Sequence, residues 1–398
     1  MRTVLLLTES YPLGGVTEEA FVKPEIEALA SVFERVVVVP VSDRGPIRAE
    51  FPLNVTVARD VIESRAWRRK WIRPLCHPVA LLHGWDDVRY SLAAAVVEQA
   101  LKAIAGRMNL SPADTVMESF WFDFMSSALS RMNKKYGYKY VVRAHRYDVY
   151  TDRAPVQREL AIARSAGVFA VSDSGAGYLK NRFPKVADKI STAYLGVDTC
   201  VDCSEHSLPG DKTVRLLTIA RVTETKRCRM CYEFVNALAT ARPQWKFEWT
   251  LIGDGPELEN LRCLVQQGNH RTNLTVNLAG AMSHAEVMDY YASAVTDWFM
   301  LLSASEGLSI ALLEAMAHGI PAIATDVGGI QEAVDDSTGL LLAPDSEPEE
   351  FVRGLMPFLD SRLRYEALCD GARLRVVGMF DAGVLRREWV RMLKSLVE

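Results

Sequence analysis

The chain has 398 residues, 49% of them hydrophobic and 24% charged, with a formal net charge of −4. That length exceeds one ordinary core and predicts two globular domains of roughly 200 residues each. The charge balance argues against a general nucleic-acid binder, and no run of about 18 apolar residues is present to span a bilayer.

The first segment, MRTVLLLTESYP, has an apolar run that stops at Glu9 and Tyr11, too early for a secretory signal. It reads as a first strand, and a cytoplasmic protein is expected. Gly14 and Gly15 follow and allow close backbone approach to a phosphate, although no G-x-G-x-x-G fingerprint is present. TEEAFVKPEIEALASVF then predicts a helix with Phe21, Ile26, Leu29 and Phe33 on one face. Its acids Glu19 and Glu25 read as solvated or capping residues. RVVVVPV (35–41) is the second strand.

In RAWRRKWIRPLCHPVALLHGW (65–85), five cations up to Arg73 interleave with Trp67, Trp71 and Ile72. That mixture suits a membrane headgroup interface, or a solvated helix whose tryptophans pack on their own domain. Strand-like runs continue at 115–120, 139–145, 167–172 and 190–196. In VVRAHRYDVY, His145 closes one of these runs, either as a structural residue or within reach of a substrate hydroxyl. Asp148 would hold it or bind an acceptor; Ser172 and Ser174 lie near the next strand end.

After Gly196 the polar VDTCVDCSEHSLPGDKT reads as a linker. Strand-like runs then resume at 214–220, 246–253, 273–280, 297–303 and 321–326. Alternation of apolar strands with amphipathic helices implies an α/β fold with parallel sheets: two Rossmann-like domains, 1–198 and 199–378, then a terminal helix 379–398. Such sheets bind ligands at the carboxyl ends of their strands, and two facing domains would form a cleft. The pairs Cys200/Cys203 and Cys228/Cys231 are too far apart for a zinc ribbon and lack a well-placed histidine. Free thiols are expected, with a metal or redox pair as the alternative.

The chemistry-bearing residues follow strands. In TIARVTETKRC, Arg221 and Lys226 stand where two cations would neutralise a leaving diphosphate. Arg227 and Arg229 read as solvated. In LIGDGPELENL, Gly253 and Gly255 allow a tight turn in which Asp254 is a turn or cap residue. SEGLSIALLEAMAHGIPAIATDVGGIQE carries two carboxylates, Glu306 and Glu314, about an almost uncharged helix. Gly307 permits a sharp turn, Ser309 is the N-cap candidate, and the amides near Leu308 and Ser309 offer an anion site. Acids beside a bound diphosphate make sense as acceptors for sugar or ribose hydroxyls; otherwise Glu306 caps the helix and Glu314 is solvated.

This segment resembles the E-x7-E region of retaining glycosyltransferases of family 4, which have the GT-B fold, with Glu306 and Glu314 as the two acids. Arg221 and Lys226 resemble the family's G-R-x4-K motif, with Ala220 in place of the glycine. The resemblance is strong over 214–335 and looser over 1–200, and RAHRYDVY looks like capsule, exopolysaccharide and O-antigen members. It implies transfer of a sugar from a nucleotide-diphosphate donor, UDP- or GDP-linked, to a glycan or lipid-linked glycan, with retention and without a metal or cofactor. His145, Glu306, Arg221 and Lys226 would be catalytic. Gly14, Gly15, Gly253, Met282, Gly307, Leu308, Ser309 and Glu314 would join the donor site, and His145 and Asp148 the acceptor site. By the same resemblance the terminal helix crosses back onto the first domain. No D-x-D and no P-loop is present. A nucleotide-sugar epimerase of the same fold and a non-catalytic nucleotide-sugar-binding protein remain the alternatives.

Overall fold

The structure, a computed structural model, describes residues 1–13, 16–42, 45–47, 50–60, 85–150, 157–201, 212–268 and 271–398. Gly14, Gly15, Cys203 and the basic-aromatic stretch 65–73 lie outside the described residues. Contacts divide the chain into two units, Met1–Tyr194 with Val384–Glu398, and Leu195–Gly383.

The first unit contains β1 (Thr3–Thr8), α1 (Val16–Ala30), β2 (Arg35–Pro40), β3 (Val55–Val57), α2 (Trp85–Arg107) and β4 (Thr115–Ser119). It continues through α3 (Phe124–Tyr136), β5 (Lys139–Ala144), α4 (Arg146–Val149), α5 (Arg158–Arg164), β6 (Gly167–Ala170), α6 (Asp173–Arg182) and β7 (Ile190–Thr192). Its parallel sheet runs β3-β2-β1-β4-β5-β6-β7. Every residue of β1 is buried because helices cover both faces, which is why the strand reads as an unbroken apolar run. Alternate residues feed opposite cores: Leu5, Leu7, Val37 and Val39 one, Val4, Leu6, Val36 and Val38 the other. Each such side chain stabilises the fold by about 1.5–3 kcal/mol.

The second unit contains β8 (Thr213–Ile219), α7 (Cys228–Ala241), β9 (Lys246–Ile252), α8 (Leu258–Gln267), β10 (Leu274–Gly280), α9 (His284–Ser293) and β11 (Trp298–Leu301). It continues through α10 (Ile310–Ala317), β12 (Ala322–Thr325), α11 (Ile330–Ala333), β13 (Gly339–Leu342), α12 (Pro348–Leu359) and α13 (Arg362–Met379). Its sheet is also parallel, ordered β10-β9-β8-β11-β12-β13. Strand order reverses between β1 and β4 in the first sheet and between β8 and β11 in the second. In open parallel sheets the loops at such a reversal part and leave a ligand crevice.

The last helix, α14 (Ala382–Ser395), places Trp389, Val390 and Leu393 in the first unit's core beside Val4 and Ile26. There the Arg143 guanidinium lies 3.8 Å from the Trp389 ring centroid. Arg143 also meets Glu25 at 3.1 Å and Glu118 at 3.5 Å, and all three charged side chains are buried. Glu25 is therefore not the solvated residue its helical position suggested. Burial and the neighbouring Glu25 carboxylate push the Glu118 carboxyl well above its ordinary range. Among the described residues no helix is long and apolar enough to cross a membrane.

Candidate active site

The switch point of the second unit is built from the loops after β8 and β11. Lys226 pairs with Glu306, and the same carboxylate oxygen accepts a 2.7 Å hydrogen bond from Ser303 Oγ. Glu306 is 4% exposed, so it sits in the floor of the loop rather than in solvent. Ala304 N donates to Thr225 O at 2.8 Å and ties the two loops together. Arg227 adds three more ties, donating to the carbonyls of Leu302, Ser303 and Pro344 at 2.7–2.8 Å. It does so from a left-handed backbone (φ 45°) that disfavours any side chain. The reading of Arg227 as a solvated cation is thus corrected: its fork organises the carbonyls beneath Glu306. Arg229 is exposed and, among the described residues, pairs with Glu233 on its own helix alone. Arg221 is exposed, with no ion-pair or hydrogen-bond partner among the described residues.

Glycines strap this floor from below. Gly328 has φ 59°, and a Cβ there would meet the Glu306 carbonyl oxygen at 1.8 Å. Gly329 N donates to Gly307 O at 2.9 Å. On the other side, a Cβ on Gly253 (φ +150°) would meet Ala220 O at 1.9 Å, and one on Gly255 would meet Val222 O at 2.3 Å. Val222 N donates to Asp254 O at 2.9 Å, while the Asp254 carboxylate accepts from Gly255 N and serves the turn. Gly253, Gly255 and Gly328 permit backbone contact that no side chain would allow.

Glu314 lies in the middle of α10, almost wholly buried. His284, the first residue of α9, comes within 2.7 Å of its Oε1. Beneath it, His318 contacts Glu314 O at 2.9 Å and stacks on Tyr291 with ring centroids 5.0 Å apart. Ser309 occupies the N-cap of α10, but its side chain makes no capping bond. Leu308 is half-buried just before it, and Met282 is half-buried at the start of α9. Cys228 and Cys231 are free thiols buried on α7, and burial pushes the Cys228 thiol up to about 11.

The first unit's switch point has different materials. The Glu18 carboxylate, buried, accepts from Glu9 N at 2.9 Å, Ser10 N at 2.6 Å, Ser10 Oγ at 2.9 Å and Tyr11 N at 2.8 Å. It also accepts from Trp121 Nε1 at 2.7 Å, joining the loop after β1 to the loop after β4. The Trp121 and Phe120 rings each lie 4.7 Å from the His145 ring. His145 Nε2 is buried with no hydrogen-bond partner among the described residues. Burial, then the Arg143 charge, pushes its pKa down to about 3, against a hydrogen bond from the ring to the Phe120 backbone. The imidazole is therefore neutral, with one nitrogen open as an acceptor. Asp148 accepts from His145 N at 3.1 Å, so its carboxylate holds the histidine's backbone. Burial pushes Asp148 up to about 6. Ser172 N-caps α6, and Ser174 Oγ meets Tyr150 Oη at 3.0 Å.

Sequence reasoning missed Glu18, Trp121, Ser303, Arg227, His284 and Gly328. The double glycine in ATDVGGIQE was a usable signal for Gly328; Ser303 reaches Glu306 only three residues on, and Glu18, Trp121, Arg227 and His284 act through partners far away in sequence.

Residues 213–361 match the family model described as Glycosyl transferases group 1. The chain is 28% identical over 236 residues to the putative colanic acid biosynthesis glycosyltransferase WcaL of Salmonella typhimurium, covering 57% of this chain and 56% of that protein. It thus spans about half the length of the curated relatives it matches. Among solved structures it is similar to sucrose-phosphate synthase from Thermosynechococcus elongatus, with TM-score 0.71, 17% identity and coverage of 100% and 99% of the two chains. Anabaena Alr3699/HepE in complex with UDP superposes with TM-score 0.66 at 16% identity, covering 99% and 100%. The two structural likenesses run the length of the chain, and the fold is GT-B: two Rossmann-like units, each with its own parallel sheet.

Proposed function

We propose that the protein is a retaining, metal-independent glycosyltransferase that moves a sugar from a nucleotide-diphosphate donor to a glycan or lipid-linked glycan in surface-polysaccharide synthesis. The observation that carries this reading is the Lys226–Glu306 pair at the second unit's switch point, within the segment that matches the group 1 model. A cation and an acid held together at a strand end suit a ligand that bears both phosphate charge and hydroxyls. Lys226 and the unpaired Arg221 stabilise the diphosphate as negative charge grows on it, aided by the free amides at the start of α10. Glu306 accepts from a hydroxyl of the transferred sugar, and Glu314 from the ribose, exchanging its contact with His284. Within the first unit, His145 Nε2 is the acceptor offered to a hydroxyl of the glycan that receives the sugar.

Among the described residues of this site no side chain is assigned as a covalent nucleophile. The acceptor hydroxyl attacks the anomeric carbon on the face from which the diphosphate departs. The C–O bond to the diphosphate breaks, and the hydroxyl proton passes to a diphosphate oxygen. Donor identity is tested by thermal shift with UDP-, GDP- and ADP-sugars, because a ligand that binds only the native state raises Tm. Glu306→Ala is expected to lower transfer by about 10²- to 10³-fold while circular dichroism stays native. Unchanged turnover in that variant would remove the assignment. Rapid donor conversion without any acceptor would instead identify an epimerase.

A further inference from the structure

We propose that a cavity walled by α2, α3 and α5 in the first unit is a binding site for a phosphate-bearing ligand. The cavity measures about 370 Å³, the size of a small-ligand pocket, and Arg131, Lys134, Lys135 and Arg164 all line it. The one carboxylate in its wall is the buried Glu98, which pairs with Lys135 and lies 3.8 Å from Arg131. Glu98 thereby fixes two cations at the floor. Lys134 has no partner among the described residues, and Arg164 has only a 3.4 Å contact to Ser130 Oγ.

The helix ends do not account for this charge. Two helix C-termini supply about half a negative charge each, so with Glu98 they leave roughly two positive charges uncompensated. An anion relieves that repulsion, and a phosphate does so best, because a guanidinium fork matches its oxygens. Leu160, 46% exposed at the rim, offers apolar contact to whatever carries the phosphate. None of the lining residues belongs to the loops around His145, so the proposal stands apart from the transferase reading.

The phosphate could belong to a phospholipid headgroup or to a soluble phosphorylated compound, and two measurements on the full chain separate them. Inorganic phosphate is titrated calorimetrically, and sedimentation is measured with phosphatidylcholine vesicles that contain or lack phosphatidylglycerol. Each is repeated with Lys134→Glu/Arg164→Glu and with Lys180→Glu/Lys185→Glu, which changes net charge equally at exposed lysines elsewhere in the unit. The cavity pair is expected to weaken binding at least about tenfold and the control pair to leave it nearly unchanged. Cavity-dependent binding of phosphate alone supports a soluble ligand; cavity-dependent sedimentation with phosphatidylglycerol supports a headgroup. No binding in either assay, or equal loss in both pairs, overturns the proposal. Should the charge-reversed pair fail to fold, Lys134→Gln, at an exposed position, gives the same comparison, with a smaller loss expected.

Discussion

The two switch points solve the same topological problem with opposite materials. In the second unit a charged pair, Lys226 and Glu306, rests on a floor made by Arg227 and by glycines that let backbone touch backbone. In the first unit the floor is one buried carboxylate, Glu18, which gathers four groups of the β1 loop and the Trp121 indole, and aromatic rings hold a neutral histidine above it. A site for a highly charged group tolerates exposed cations. A site for hydroxyls works through buried acceptors whose neighbours are already satisfied.

If that contrast is right, the first unit should be the more fragile to loss of a single acid. Glu18→Ala leaves three backbone amides, the Ser10 hydroxyl and the Trp121 indole without their acceptor. A cost of about 3–5 kcal/mol is expected, read as a fall in the denaturation midpoint with unchanged slope. Even Glu18→Gln should be costly. Its NH₂ would face donors at one of the two oxygen positions, because Trp121 and Glu9 share one oxygen and Ser10 and Tyr11 the other. A loss no larger than that of an exposed glutamate would show that the loop is held by something else.

The matching break in the second unit is a single carbon. Gly328→Ala puts a methyl 1.8 Å from the Glu306 carbonyl oxygen at φ 59°. The expected penalty is on the order of 3 kcal/mol, with loss of donor-induced thermal shift because Glu306 must move. Retained stability with retained donor binding would mean that the strap is not needed.

A smaller effect separates two adjacent arginines. Arg227→Ala releases three carbonyls and should cost about 2 kcal/mol, whereas Arg229→Ala removes only an exposed helical pair and should leave chemical denaturation unchanged.

That pair of arginines also shows what the sequence reveals. The sheets were legible because helices on both faces force unbroken apolar strands, and in the second unit the four charged candidates, Arg221, Lys226, Glu306 and Glu314, fall within two short stretches. Arg227 was misread because its acceptors lie 75, 76 and 117 residues away. Glu18 reaches Trp121 across 103 residues, so neither local spacing nor periodicity announces it. His284 finds Glu314 across 30. Glu25 sits where a helix could face water and instead meets Arg143 from a strand it does not adjoin in sequence. Local rules locate elements; long-range pairing of polar groups decides which acids are structural. β3, three residues long, was not read as a strand, whereas the equally short β7 lies inside the apolar run 190–196.

The smallest expected effect is the one that tests the histidine most directly. His145 has a folded pKa near 3, against an ordinary value of 6.5. Between those values the unfolded chain binds the proton and the native state does not, so this group's contribution is complete above pH 6.5 and shrinks as pH falls. At pH 5.5 the loss should be about 1.4 kcal/mol. The Glu118 carboxyl has the opposite sign: raised by burial, it keeps its proton in the folded state and weakens the fold as pH climbs above its ordinary range. His145→Gln should therefore flatten the acid side of the stability profile, and Glu118→Gln the alkaline side. An acid limb that His145→Gln leaves intact would place the titrating group elsewhere, and the imidazole would then not be held neutral between Phe120 and Trp121.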